Sequence, residues 1–228
     1  MTLPDFSFEK KLHRRGHKFV AGVDEVGRGC FAGPIVAGCV IFPPGFTLPE
    51  GIIINDSKKM RPKQREKSSV WIKEYAASWG IGEAGVGKIN KYGMAKTARM
   101  AFRRAISDAR QRLGKPIDYL LADAFFISYV PGLPAKKRRR QLPVVNGDEK
   151  STSIAAASII AKVYRDKLMV GLSKRPKCKR YKWGKNKGYG TKEHQNAILK
   201  YGLTRQHRKQ FVETWLSKIS SSRARSRA

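Results

Sequence analysis

The 228-residue chain is short of acid: 17 Asp and Glu stand against 48 Lys and Arg, a formal net charge of +31. It is also short of cysteine. Cys30, Cys39 and Cys178 are odd in number and widely spaced, with no Cys-x-x-Cys pair. That excludes a disulfide framework and a cysteine-rich zinc site, and fits reduced thiols used as small apolar packing residues. No apolar run approaches the roughly 20 residues that a bilayer-spanning helix needs. The opening MTLPDFSFEKKLHRRGHKF lacks the apolar centre of a secretory signal. The expected location is therefore the cytoplasm.

What is present is surplus positive charge on a chain that still has a core. Hydrophobic residues make up 41%, enough at this length to bury one well-packed domain. A surplus of +31 far exceeds the net charge of about 2–8 that solubility requires. It must lie mainly on the surface, where it attracts polyanions, and nucleic acid is the first candidate partner. A membrane surface would call for a basic amphipathic helix with an aromatic face, and none is evident.

Residues 1–17 read as a basic lead-in. Two β-rich runs follow between Lys18 and Phe42, around the turn GRGCFAGP. Helical spacing runs from Pro62 to Ser78, with Pro62 near the first turn, and WGIGEAGV reads as a short third strand. From Lys88 to Leu113 a long helix is predicted, its apolar face made by Met94, Ala98, Ala101, Phe102, Ala105 and Ile106. DYLLADAFF and LPVVNG read as strands, separated by the basic run AKKRRR, and SIAAASIIAKVYRDKLMVGL as an Ala/Ile-rich helix. The fold class is α/β: a mixed β-sheet, antiparallel neighbours first, flanked by helices and followed by a helical C-terminal extension. The expected division is an α/β domain over 18–173, a basic helical extension over 174–219 packed on the same domain, and a disordered tail, SSSRARSRA, over 220–228.

The few acids are placed unexpectedly. Asp24 and Glu25 sit inside the apolar stretch VAGVDEVGRG. On a regular strand they point to opposite faces, so they share a site only if the strand ends or twists there. Gly27-Arg28-Gly29 would end it, and the N–H groups of such a turn can donate to sugar or phosphate oxygens. Asp123 closes the apolar run DYLLAD, at a sheet rim, and Asp166 continues a helical stripe with Ser158 and Lys162. Each acid alone also reads as ordinary structure: a strand-end Arg–carboxylate pair, a strand-terminating Asp, or half of a surface pair with Arg165 or Lys162. Together, four carboxylates would repel one another unless cations lay among them. Hard oxygen donors suit Mg2+ or Mn2+, and two such ions are a known device for phosphodiester hydrolysis.

VDEVGRGCFAGPIVAGCV, NDSKKM, GDEKSTSIAAASIIAKVYRD, NKGYGTKEH and HRKQF, in that order from Val23 to Phe211, resemble the ribonuclease HII family, the type 2 ribonucleases H. The resemblance implies an RNase H-like fold and a metal-dependent endonuclease that hydrolyses the RNA strand of RNA–DNA hybrids. It also implies cutting 5′ of single ribonucleotides embedded in duplex DNA, leaving 3′-hydroxyl and 5′-phosphate ends. Asp24, Glu25, Asp123 and Asp166 would then be catalytic acids holding two Mg2+ or Mn2+ ions. Gly27, Arg28 and Gly29 would read the ribose 2′-hydroxyl, the group that separates RNA from DNA. Tyr189 would pack on the deoxyribose beyond the ribonucleotide. Lys150 and Ser153 would meet a phosphate where a helix begins near Ser151, with helix capping as their other reading. The implied partners are RNA–DNA hybrid duplex and ribonucleotide-containing DNA, with no membrane, and the protein is expected as a monomer.

The family usually has Gly after the third acid, where this chain has Ala124. His194 and His207 come without a metal-ligand set and read as structural or backbone-contacting. Tyr181 and Trp183, interleaved with Lys179, Arg180, Lys182 and Lys185, read either as flanking a duplex or as packing. Two rivals remain. A non-catalytic basic RNA-binding protein has no use for four placed acids. Ribonuclease HIII usually carries an extra N-terminal domain, for which the lead-in before Val20 is too short.

Overall fold

Five strands make one sheet: β1 (Val20–Val26), β2 (Ile35–Ile41), β3 (Ser78–Ala84), β4 (Tyr119–Asp123) and β5 (Gln141–Val144), in the order β3-β2-β1-β4-β5. The computed structural model describes residues 3–130, 133 and 140–225. β1 runs antiparallel to β2, with Asp24 opposite Gly38 and Glu25 opposite Ala37, and parallel to β4, which is parallel to β5. This is the mixed sheet that the sequence predicts. β1 and β2 are buried along nearly their whole length, as central strands covered on both faces are.

The helices are α1 (Ser7–His13), α2 (Pro62–Tyr75), α3 (Val86–Leu113), α4 (Thr152–Ser173), α5 (Trp183–Asn186), α6 (Lys192–Tyr201) and α7 (Lys209–Arg225). The chain divides into two compact units. The first comprises Met1–Val26, Val36–Glu83 and Ala98–Tyr164; the second comprises Gly27–Ile35, Ala84–Thr97 and Arg165–Ala228.

In the first unit the start of α4 lies directly on the sheet, because two strand positions carry no side chain. A Cβ at Gly22 would stand 2.1 Å from the Ser153 carbonyl carbon, and one at Gly38 would stand 2.2 Å from the Ala157 carbonyl oxygen. The Ala-rich stretch of α4 is what permits this approach: Ala155, Ala156 and Ala157 are fully buried, in one cluster with Ile159, Ile160, Phe42, Ile54 and Ile72. The second half of α3 lies along β3. Ser78 Oγ donates to the Ala109 carbonyl at 2.7 Å, and Asp108 Oδ2 accepts the N–H of Ile81 at 3.0 Å.

The predicted helix from Lys88 to Leu113 is interrupted in one place. Gly93 has φ 76° and ψ 166°, a conformation open to glycine, and Thr97 Oγ1 donates to its carbonyl at 2.8 Å. The second unit has its own core of Ala32, Met169, Leu172, Cys178, Tyr181, Trp183, Ala197, Ile198 and Val212. Tyr181 and Trp183 stack on each other at 5.3 Å and are almost completely enclosed, so of their two readings packing is the one that holds. α7 continues through Ser220 to Arg225, where the sequence predicted a tail without structure. The serines there bond back along the helix, Ser220 Oγ to the Leu216 carbonyl and Ser221 Oγ to the Ser217 carbonyl, so they do not break it. Residues 135–139 of the basic run and 226–228 of the tail lie outside the described residues. Among the described residues no helix is long and apolar enough to cross a membrane.

Candidate active site

Strand register brings two of the acids side by side in the first unit. β1 and β4 pair in parallel as far as Val23 and Ala122, and the next residue on each strand is Asp24 and Asp123. Both therefore sit just past the last parallel pair, Asp123 as the final residue of β4 and Asp24 two residues before the end of β1, toward the carboxyl ends where ligands of α/β sheets bind. Asp24 shares the face of Gly22 and Gly38, the face that α4 covers, and is buried at 5% exposure. Glu25 follows on the opposite side of the pleat, its N–H donating to Asp24 Oδ1 at 2.7 Å.

Burial pushes the Asp24 carboxyl well above the usual carboxylate range, and the neighbouring charge of Glu25 pushes it further. A hydrogen bond with Ser158 of α4 works the other way, and Asp123 and Asp148 add to the rise. Ser158 is itself held by Ser57, Oγ to Oγ at 2.9 Å. Asp123 is fixed by the Gly147 N–H, which donates to its Oδ1 at 2.8 Å. Asp148 is raised by burial; Lys58, with Nζ 3.5 Å from its Oδ2, opposes the rise, and Asp123 and Asp56 reinforce it. Asp148, Asp56 and Lys58 lie inside the motifs GDEKS and NDSKK but carried no assigned role. Their signal was membership of those motifs.

The donors here are carboxylate oxygens that repel one another, the chemistry of a site for hard divalent cations. Among the described residues no three His, Cys, Asp or Glu side chains converge into a ready-made ligand cage. The residues fit such ions as an electrostatic donor set.

The residue following Asp123 stands in a backbone conformation that suits glycine. Ala124 has φ 57°, in the left-handed region, with its N–H donating to the Val144 carbonyl at 3.0 Å. A Cβ in that region costs about 1–2 kcal/mol, so Ala124 keeps the backbone turn at the expense of strain.

Ser153 is placed differently from the phosphate-contact expectation. It is fully buried, and its N–H and hydroxyl both donate to Glu9 Oε1, at 3.0 and 2.5 Å, alongside Ser151 Oγ at 2.7 Å. The carboxylate of Glu9 accepts at the N-terminus of α4, and Ser151 Oγ accepts the Ile154 N–H at 3.3 Å, so Glu9 and Ser151 cap the helix and Ser153 is a donor to that cap. Lys150 is exposed, with Nζ donating to the Val145 carbonyl at 2.8 Å. Glu9 was missed because a glutamate in a basic lead-in reads as solvated.

The second unit holds Gly27, Arg28, Gly29, Asp166 and Tyr189. Gly27 has φ +93°, and a Cβ on it would stand 2.1 Å from Arg165 Nε. Arg165 and Arg208 are fully buried. Arg165 donates to the carbonyls of Pro34, Lys187 and Ala32 at 3.0, 2.9 and 3.1 Å. Arg208 donates to those of Gly33, Arg28 and Pro34 at 2.9, 2.9 and 3.1 Å, and its burial lowers its pKa to about 10. Arg165 is thus a carbonyl anchor rather than a surface partner of Asp166. Nothing in the sequence marks it, because the loops it binds are distant along the chain.

Tyr189 is 37% exposed, with its ring 5.9 Å from the Arg165 guanidinium. Its phenol is pushed up, by burial first and then by Cys30, while Arg165 opposes and Asp166 reinforces the rise. Its backbone is held by a relay with one consistent proton assignment. The Thr204 N–H donates to His207 Nδ1 at 2.8 Å, so His207 carries its proton on Nε2, which meets His194 Nε2 at 3.2 Å. That nitrogen also accepts the Trp183 Nε1–H at 3.0 Å, leaving the His194 proton on Nδ1, which donates to the Tyr189 carbonyl at 2.9 Å. Both histidines are backbone-contacting, as expected. Burial lowers both, His207 to about 4 with His194 contributing.

A family profile described as Ribonuclease HII matches residues 21–215. The chain is 46% identical over 206 residues to a ribonuclease HII from Caldanaerobacter subterraneus subsp. tengcongensis, covering 90% of this chain and 79% of that protein. It is 45% identical over 213 residues to a ribonuclease HII from Wolbachia pipientis wMel, covering 93% and 97%. Its fold is similar to the crystal structure of ribonuclease H2 from Pyrococcus horikoshii OT3, with a TM-score of 0.66 and 25% identity over 84% of this chain and 93% of that one.

Proposed function

The chain belongs to the ribonuclease HII family and is an endoribonuclease of the ribonuclease H type; from that premise we propose that it hydrolyses the RNA strand of RNA–DNA hybrids and cuts 5′ of single ribonucleotides embedded in duplex DNA. The observation that carries this reading is the pair Asp24 and Asp123 toward the carboxyl ends of parallel strands, with Asp24 held at a raised pKa by burial and by acids around it. Such a cluster is costly in isolation and useful with cations.

Asp24 and Asp123, with Glu25 and Asp166 carried over from the family resemblance, would hold divalent Mg2+ or Mn2+. When bound, those ions supply activation of a water and stabilisation of the leaving oxygen. Hydrolysis joins the water oxygen to phosphorus and breaks the P–O3′ bond, giving 3′-hydroxyl and 5′-phosphate ends. The protein's own contribution is orientation. Ser158, itself held by Ser57, steadies Asp24, and the Gly147 N–H fixes one oxygen of Asp123. Lys58 tempers the negative charge at Asp148.

Recognition would fall to the turn Gly27-Arg28-Gly29 at the ribose 2′-hydroxyl and to the half-exposed ring of Tyr189 at the next sugar, where a 2′-hydroxyl would crowd it. Lys150 is exposed and suited to a phosphate. The test is a DNA duplex with one ribonucleotide, incubated with Mg2+, with Mn2+ and with chelator, and sized on a denaturing gel. Cleavage 5′ of the ribonucleotide in both metal lanes and none with chelator is the expected result; cleavage with chelator present would sink the metal assignment.

A further inference from the structure

Arg165 touches both of the elements to which substrate reading has been assigned. Through Nη2 and Nε it holds the carbonyls of Ala32 and Pro34, in the segment that begins with Gly27-Arg28-Gly29, and its Nε fills the space against Gly27 that a Cβ would need. Through Nη1 it holds the Lys187 carbonyl, two residues before Tyr189, and its guanidinium lies 5.9 Å from the Tyr189 ring. The two segments are also joined by the backbone, since the N–H groups of Phe31 and Ala32 donate to the Gly188 carbonyl at 2.8 and 3.1 Å. Arg208 binds the turn segment alone, at Arg28, Gly33 and Pro34. Arg165 is therefore the buried side chain whose planar fork spans the turn and the tyrosine together. A planar guanidinium fixes the directions of its donors; a lysine ammonium offers one point charge on a flexible stem and cannot hold three carbonyls in a fixed pattern.

We propose that Arg165 is a positioning residue that couples the Gly27-Arg28-Gly29 turn to Tyr189, so that a ribose and the sugar after it are read as one unit rather than as two independent contacts. This deepens the junction reading above and rests on it. A reader of two adjacent sugars needs its two contacts at a set separation, and a buried fork anchored through all three of its nitrogens supplies that rigidity. Coupling of this kind shows itself as non-additivity between substitutions at the two contacts.

The experiment is a double-mutant cycle of Arg28→Ala and Tyr189→Ala, built in the parent and again in Arg165→Lys, with kcat/KM measured on a single-ribonucleotide duplex and on a uniform hybrid. In the parent the combined loss should depart from the product of the single losses by at least about threefold. In Arg165→Lys the losses should multiply. Gly27→Ala, which drives a methyl against Nε, should abolish the coupling in the same way and serves if Arg165→Lys does not fold. Arg208→Lys should leave the coupling in place. Multiplying losses in the parent, or coupling that survives both Arg165→Lys and Gly27→Ala, would overturn the proposal. Failure of the junction reading is seen separately, as a Tyr189→Ala loss that is equal on the two substrates.

Discussion

The acidic rim of the first unit and the proposed reading loop of the second solve opposite electrostatic problems. At Asp24 and Asp123 like charges crowd a buried strand end, and the fold leaves repulsion in place. Around Gly27 and Tyr189 two buried cations and two neutral histidines are satisfied by protein carbonyls, amides and ring nitrogens. The first arrangement carries an unbalanced negative charge; the second is satisfied within itself, as the proposed rigid template requires. Stability and chemistry therefore run against each other in the first region and together in the second.

The largest expected effect breaks the first region. Asp24→Asn or Asp123→Asn should lower single-turnover cleavage by roughly a thousandfold, on the scale of losing an essential electrostatic group. Binding of the uncleaved duplex should be unchanged or tighter, because a negative charge facing phosphates is gone. In metal-free buffer Asp24→Asn should also raise Tm, since it removes a buried charge that its neighbours oppose. Parent-level cleavage at saturating Mg2+ would remove the substituted residue from the site.

The second region breaks differently. Tyr189→Ala should reduce kcat/KM on a single-ribonucleotide duplex about tenfold more than on a uniform hybrid, a difference of about 1.4 kcal/mol. Fold and duplex affinity should survive, because the ring is part-exposed.

Acid sharpens the contrast. His207 has its pKa lowered to about 4 in the folded protein, against about 6.5 in an unfolded chain. Between those values the unfolded state binds the extra proton, so this contribution to stability is whole above about pH 6.5 and lost as pH falls toward 4, by about 2–3 kcal/mol. Asp24 has the opposite sign: a raised folded pKa means that its destabilising charge is relieved as pH falls. Tm measured from pH 7 to 4.5 should drop more steeply in the parent than in His207→Asn, and the drop should be lessened by Asp24 rather than caused by it. Equal slopes would show that the histidine relay carries none of the acid sensitivity.

The smallest effect concerns strain beside the acids. Ala124→Gly relieves a left-handed alanine, with a gain of about 1 kcal/mol. For a chain of this length that is about 2–4 °C in Tm. An unchanged or lower Tm would mean that the strain is already absorbed elsewhere.

The strands, the Ala-rich helix and the acids of the sheet rim were legible because they obey local rules. Apolar runs of strand length, an alanine run of helix length and carboxylates set against apolar neighbours are visible without knowing what lies across the fold. Position along a motif also pointed to the Gly27-Arg28-Gly29 turn and to Tyr189. What the sequence did not reveal at Ser153 is its partner: a free helix N-terminus attracts a phosphate, and here Glu9, 144 residues away in sequence, accepts from it. The helix break at Gly93 was hidden in an otherwise continuous apolar pattern.

By itself, then, the sequence determined the fold class, the setting of Asp24 and Asp123 among apolar strand residues and the positive surplus, since each follows from residue type and spacing. Tertiary structure alone decided which charges are expressed. Arg165 and Arg208 became internal anchors, His194 and His207 became a neutral relay, and Asp24 became an acid that resists ionising. Those roles depend on burial and on partners supplied by distant segments, and desolvation and distance are properties that a linear string does not carry.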